Sequence, residues 1–388
     1  MPLARAVEAR KGSLLSLILV STAHATNHIC QLAPSIIAGK IQSEYGLTPF
    51  EVGLIFLAFN LPYALFQAPF GALSRRLGRR RLMVLGFLVN AAGFAGVSVF
   101  KGLTSLAAAL FVAGIGGSTY HSLGIPLISD LFPERRGEAL GYHQTGGSIG
   151  SFIAPLTIGV ITENLGWRSA FLTLSLLGMA LAPVLWYRLR ESQLEVAEGS
   201  KPSLKELREP LLLVLAASIY IVAFRGVMLF GTLYFEQGKG LGPQAYVLFS
   251  LSQVAGIFSG PVCGRLSDVM GRKEVIISLV LIEGVSAFGL VFLTGIPLYL
   301  TLVVLGFAAF GLLASMDAFL ADITRPRLFG TVVGINLAAS FVVSSILSPI
   351  LGGSISTYGY DLSFTLIAAF SLLGLLPLLF VRRARERL

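Results

Sequence analysis

Apolar residues run through this chain in stretches of about twenty, each closed by a short polar or glycine-bearing break. A helix rises 1.5 Å per residue, so a run of roughly 20 apolar residues matches the hydrocarbon core of a bilayer. The pattern predicts helices at about 13–38, 49–72, 82–100, 104–130, 138–162, 167–188, 211–235, 243–265, 274–294, 297–320, 329–356 and 362–381. The breaks are short, so sequential helices are antiparallel neighbours. Thr48-Pro49-Phe50-Glu51 places an N-cap Thr, a Pro at the first helical position and a Glu three residues past the cap. That is a capping box at the outer end of the second span. The expected fold class is an all-α membrane protein of twelve transmembrane helices.

The pattern also repeats at an offset near 194. Gly71-Ala-Leu-Ser-Arg75-Arg76-Leu-Gly78-Arg79-Arg80 matches Gly264-Arg-Leu-Ser-Asp268-Val-Met-Gly271-Arg272-Lys273. Pro155 with Gly159 matches Pro349 with Gly353, and Asp130 with Gly137 matches Asp322 with Gly330. Two six-helix bundles follow, 1–188 and 211–388, joined by a polar cytoplasmic linker at 189–210. Parallel repeats of this kind are expected to bind substrate at their interface, near the bilayer midplane.

Composition agrees with the pattern. Of 388 residues 55% are hydrophobic and 13% charged, against roughly 25% charged in a soluble domain. The first span mimics a secretory leader, with Arg5, Arg10 and Lys11 ahead of it and Ala23-His24-Ala25 resembling a cleavage site. Its apolar character continues to Ile41, too long for a leader, so the expectation is that it is retained. The net charge of +9 raises nucleic acid as a partner, and its distribution argues against one. With the N-terminus inside, 24 of the 29 Lys and Arg fall on inner loops; Lys40, Lys101, Arg168 and Lys239 fall outside and Arg225 within a span. This is the positive-inside asymmetry, which places both termini in the cytoplasm of a cell-membrane protein. Cys30 and Cys263 lie in apolar spans with no metal or disulfide spacing. No His-Glu-x-x-His, Gly-x-Ser-x-Gly or Walker loop occurs, so neither an enzyme nor a cofactor is expected.

The Gly71–Arg81 loop resembles motif A of the major facilitator superfamily, and Gly264–Lys273 resembles its repeat; with Gly-Trp167-Arg168 opening the sixth span, the likeness covers the chain. The resemblance implies alternating access by two rocking bundles, in a chain acting as a monomer. Motif A carries Asp at its fifth position, part of a cytoplasmic latch; here that residue is Arg75, while the repeat keeps Asp268. A one-sided gate is therefore expected from Gly71, Arg75, Gly78, Arg79, Asp268, Gly271 and Arg272, with Asp130 and Asp322 as a symmetric pair. The bland alternative makes the arginines topology signals only. Gly146-Gly147-Ser-Ile-Gly150 through Pro155 and Gly159 loosely resembles the antiporter motif C, although small residues four apart also serve plain helix packing. The motif B Arg of proton-coupled drug exporters has no counterpart between Ser105 and Tyr120. His24-Ala-Thr-Asn27-His28 and Gly117-Ser-Thr-Tyr120-His121-Ser122 are similar to segments of the first and fourth spans of fosmidomycin-resistance-type exporters, with His28 for an Asp and Ser122 for a Pro.

An ionisable side chain in hydrocarbon costs about 3 kcal/mol or more, so it normally faces a cavity or a partner. All four histidines, His24, His28, His121 and His143, lie in the first half. His24 and His28 share one helix face at i, i+4. With Asn27, Gln31 and Gln144 they are candidates for binding substrate or protons, since imidazole titrates near pH 6.5. The competing readings are neutral histidines bonded for packing, and a cation site that lacks a neighbouring carboxylate. In the second half Arg225, mid-span, can grip an anion with its planar fork; Asp317, in the tenth span, is its possible structural partner or a proton carrier. Glu283 reads as structural, and Gln67, Gln253 and Asn336 stay unranked. The function expected is proton-coupled export of a small organic, anionic or drug-like compound, with proton-coupled uptake of an organic anion or nutrient as the alternative. Its partners are that small molecule, protons and the lipid bilayer.

Overall fold

A computed structural model describes residues 2–191 and 204–381. The apolar runs are helices: α1 Pro2–Ile36, the short α2 Ala38–Tyr45, α3 Pro49–Leu77, α4 Arg79–Val99, α5 Leu103–Leu131, α6 Arg136–Leu165 and α7 Trp167–Arg188. Then follow α8 Leu204–Leu233, α9 Gln244–Val254, α10 Gly256–Met270, α11 Arg272–Phe292, α12 Gly295–Ile323, α13 Pro326–Leu372 and α14 Leu375–Leu379. Ten stretches of the described residues are long and apolar enough to cross a membrane. One of them, Val332–Leu379, is 48 residues and holds two spans, since the backbone breaks at Gly359 with φ 79°. α1, at 35 residues, is outside those ten; His24, Asn27, His28 and Gln31 dilute its apolarity. Counting α1 and both parts of that long stretch restores the twelve expected spans.

The sequence repeat reappears in the backbone. Gly46, Gly78 and Gly166 take φ of 63°, 86° and 82°, and Gly240, Gly271 and Gly359 take 66°, 107° and 79° at the matching positions. Only glycine enters that region without strain, so equivalent loops in the two halves turn on equivalent residues.

The chain divides into two compact units, Met1–Lys40 with Leu57–Val196, and Ile41–Phe56 with Ala197–Leu388. In the first, α4 packs on α5 and α7, and α1 on α5 and α6. Its core holds Val20, Met83, Phe87, Leu123, Leu127 and Leu185. In the second, α8 packs on α13, and α12 on α10 and α11, around Leu213, Tyr220, Ile276, Leu312, Phe319 and Val332. Large apolar side chains such as Leu176, Phe258, Val285, Phe292 and Leu300 remain exposed, the surface a bilayer would cover. The capping box forms: Glu51 Oε2 accepts from Thr48 N–H and Oγ1–H at 2.8 Å each. Most of the expected linker, 192–203, lies outside the described residues.

The motif A loops tie each unit together at one end. In the first, Arg79 pairs with Asp130. Glu191 accepts from the backbone N–H groups of Arg79 at 3.0 Å and Arg80 at 3.1 Å, so a carboxylate caps the positive N-terminus of α4. A side chain at Gly78 would meet that carboxylate, with Oε2 only 2.7 Å from a Cβ placed there. In the second unit Arg272 Nε donates to Asp322 at 2.8 Å and its Nη1 pairs with Asp268 at 2.6 Å. Gly271 occupies the place of Gly78. Arg75 is exposed at the end of α3 and Gly71 is half-buried one turn earlier.

Candidate functional site

The polar face of α1 is assembled by close approach to α6. A Cβ on Gly150 would lie 2.3 Å from the Ala25 carbonyl oxygen, and one on Gly147 would lie 2.6 Å from His24 Cε1. The small residues of the motif C-like segment thus bring two backbones together, and they leave the His24 ring a flat wall to lie against. The His24 ring also stacks near-parallel to His143, with centroids 4.2 Å apart, and to Tyr120 at 5.2 Å. His24 and His143 are each 1% exposed.

The bonding partners assign the tautomers of the neutral rings. His24 Nδ1 is 2.9 Å from the His143 carbonyl oxygen. A carbonyl only accepts, so Nδ1 carries the hydrogen and Nε2 has the lone pair. His28 Nε2 sits 3.1 Å from that lone pair and must donate. His28 Nδ1 is then an acceptor, taking the hydroxyl proton of Ser151 at 2.8 Å. The result is a directed chain from Ser151 through His28 and His24 to the backbone of α6. His121, on α5, stands edge-on to His24 at 5.3 Å and to His28 at 5.6 Å. One ring nitrogen from each of His24, His28 and His121 lies within 4.8 Å of the others.

Asn27 closes one side. Its Nδ2 donates to the Gly117 carbonyl at 3.1 Å, and its Oδ1 accepts from Tyr63 Oη at 2.8 Å. Tyr120 Oη donates to the Val20 carbonyl at 2.5 Å. Its hydrogen is thereby committed, and the 3.4 Å approach of His143 Nδ1 is from the donor side. His143 Nε2 is buried with no partner among the described residues. A buried polar atom without a partner costs about 1–3 kcal/mol.

Of the residues singled out from the sequence, His24, Asn27, His28, His121 and His143 come together in the first unit. Gln31 is half-buried one turn along α1 and Gln144 is exposed on α6. Three participants were not foreseen: Tyr63, Tyr120 and Ser151. Ser151 stands eight residues after His143 on α6, a spacing that puts both on one helix face, and this was the available signal.

The second unit presents its own polar residues. Arg225 Nη2 donates to Ser340 Oγ at 3.0 Å, and the guanidinium lies 5.6 Å from the Phe341 ring. Asp317 is exposed on α12. Glu283 is 1% exposed; Oε1 accepts from the Phe224 N–H at 3.2 Å, and Oε2 has no partner among the described residues. Cys30 and Cys263 are buried free thiols.

The sequence pattern of the Major Facilitator Superfamily matches residues 14–335 and 242–388. The chain is 23% identical to the probable L-galactonate transporter of Escherichia coli K12 over 423 residues, covering 98% of this chain and 91% of that one. It is 26% identical to the fosmidomycin resistance protein of the same strain over 379 residues, covering 92% and 91%. Among solved structures it is similar to a bacterial homolog of the human lysosomal transporter Spinster in an inward-facing, occupied conformation. The TM-score is 0.73 and the identity 18%, covering 94% of this chain and 93% of that one.

Proposed function

We propose, from the premise that this chain belongs to the Major Facilitator Superfamily and is a multi-pass membrane transporter rather than an enzyme, that it exports a small organic anion in exchange for protons. The transporter works by alternating access, as a monomer in the cell membrane with both termini in the cytoplasm. The observation that carries the reading is the imidazole and amide face of α1. Five polar side chains, His24, Asn27, His28, His121 and Tyr63, converge at membrane depth in one unit. Ionisable groups held inside a membrane protein are rare, pair with one another or with backbone, and mark the routes of substrates and ions.

We assign cargo binding to His28, His121 and Asn27, with His24 and Tyr63 holding them in place. Within the second unit, Arg225 is the candidate for recognising an anionic group, because a guanidinium presents paired N–H donors to a carboxylate or phosphate. The protons are assigned to Asp317, on α12, with Glu283 as a second, buried carboxyl in the same unit. Export is supported by the likeness to the fosmidomycin resistance protein. The competing reading, uptake of an organic anion, would suit a sugar acid such as the one named for the probable L-galactonate transporter.

The test is flux in proteoliposomes under an imposed pH gradient, with labelled L-galactonate and fosmidomycin as probes. Antiport drives the probe out of the compartment that protons enter. Entry of probe together with protons would overturn the export reading in favour of symport, and flux indifferent to the gradient would remove proton coupling.

A further inference from the structure

We propose that the cargo face is also a site for a divalent transition-metal ion, bound by His24, His28 and His121, so that the transported species is such an ion or its complex with an organic anion. This rests on the reading of that face as the cargo site and names the class of cargo. The sequence alone argued against a metal because no carboxylate flanks the histidine pair. The sequence already offered His121 and His143 beside that pair; the fold selects His121, from α5, as the third imidazole and adds a prepared outer shell.

The distances are close to those of a metal site. Two imidazole nitrogens bound tetrahedrally to zinc at about 2.0–2.1 Å stand roughly 3.3–3.4 Å apart. His24 Nε2 and His28 Nε2 are 3.1 Å apart, so the pair opens by about 0.2–0.3 Å to admit the ion. One nitrogen of His121 already lies within 4.8 Å of the other two ligands, and a rotation of its half-buried ring completes a three-imidazole set. Imidazole suits zinc, copper, nickel and iron, whereas calcium and magnesium demand oxygen ligands. Three neutral imidazoles leave the ion's charge uncompensated and a coordination position open. A carboxylate or similar group of an organic anion fits that position.

The outer shell is the second, independent observation. Metal-bound histidines donate their other ring N–H to a carbonyl, a carboxylate or another oxygen, which fixes their orientation. His24 already does so, through Nδ1–H to the His143 carbonyl at 2.9 Å. His28 has Ser151 Oγ 2.8 Å from its Nδ1. When the ion takes the lone pair on His28 Nε2, the proton formerly there resides on Nδ1, and the Ser151 hydroxyl rotates to accept it. No net proton is released by this exchange. The packing of the His24 ring against His143 and Tyr120, at centroid distances of 4.2 and 5.2 Å, holds the first ligand in place.

The experiment uses the purified full-length chain, stripped with chelator and titrated with Co²⁺. The expected result is one Co²⁺ per chain with the intense visible bands of a four-coordinate ion, displaced by Zn²⁺. His28→Ala and His121→Ala should each weaken binding by at least about tenfold, and Ser151→Ala, which touches no metal, should also weaken it by about tenfold. Thermal unfolding of each variant without metal checks that it is folded. No saturable binding, a six-coordinate spectrum, or the same affinity in the His28→Ala/His121→Ala double variant would overturn the proposal. Probe flux run in chelator separates the two readings. Flux that persists without metal and disappears in the histidine variants removes the metal and keeps the cargo face. Flux indifferent to the histidines removes both.

Discussion

Replacing Gly150 by Ala tests the seam on which the imidazole cluster hangs. The new methyl group would lie 2.3 Å from the Ala25 carbonyl oxygen and 2.5 Å from Ala25 Cα. Carbon atoms in contact prefer about 3.5–4.0 Å, so α1 and α6 must part by roughly 1 Å. Two bonds cross that seam on either side of Ala25: His24 Nδ1–H to the His143 carbonyl at 2.9 Å, and His28 to Ser151 at 2.8 Å. An extra ~1 Å carries both beyond hydrogen-bond range. Overpacking typically costs about 1–3 kcal/mol, and each lost bond adds about 0.5–1.5 kcal/mol. At about 2–4 °C per kcal/mol for a unit of this size, the melting temperature falls by on the order of 10 °C. The assay is thermal unfolding of the purified chain followed by intrinsic fluorescence. Gly141→Ala on the same helix is the control, since nothing lies within 4 Å of a Cβ there. Helix propensity favours that change by up to about 1 kcal/mol, so its melting temperature should hold or rise. Equal melting temperatures for the two variants would refute the idea that close backbone approach at Gly150 builds the site.

His121→Ala and Arg225→Ala should each abolish probe flux while leaving the melting temperature within a few degrees; unchanged flux in both removes the cargo assignment. Tyr63→Phe deletes the donor to Asn27 Oδ1, and should raise the KM for the probe several-fold with a smaller change in maximal rate. Glu191→Ala uncaps α4 and should cost about 1 kcal/mol, read as a lower melting temperature whose difference from the parent shrinks in high salt. Gly359→Ala forces a Cβ into a backbone with φ 79°, and should destabilise the chain by about 1–2 kcal/mol; a neutral result would contradict the role given to that turn.

What could be read from the sequence was whatever repeats or shares a helix face. The i, i+4 spacing of His24 and His28 placed both on one side of α1 without any fold. The repeat placed Asp130 and Asp322 as equivalents, and both prove to be partners of the equivalent arginines Arg79 and Arg272. Contacts between helices distant in sequence were beyond its reach. Nothing local shows that His143, 119 positions from His24, supplies the carbonyl that orients its ring. Glu191 was read as one charge in a polar linker, yet its carboxylate sits on the N-terminus of α4, 112 residues away. The glycines of α6 resemble an exporter motif in sequence. In the fold their measurable work is steric, letting Ala25 and His24 approach.

The departure of α1 from the apolar pattern is itself informative about the site. A span that crosses hydrocarbon with His24, Asn27 and His28 exposed to lipid would incur several kcal/mol at each residue. α1 avoids this because each of these side chains is turned inward and bonded: His24 to the His143 carbonyl, Asn27 to the Gly117 carbonyl and Tyr63, His28 to Ser151. Dispensing with the polar groups would be simpler and no less stable, since well-packed apolar residues usually match or exceed buried polar ones in stability. Under the function proposed above, they are kept for a ligand that needs lone pairs at membrane depth. The same reasoning separates α1 from α13, whose long apolar stretch is interrupted by a turn at Gly359 rather than by polar chemistry. A substitution series converting His24, His28 and His121 together to Leu and Phe should then leave a folded chain, with a melting temperature equal to or above the parent, that carries no probe. A triple variant that still transports would show that the span's polarity serves packing alone.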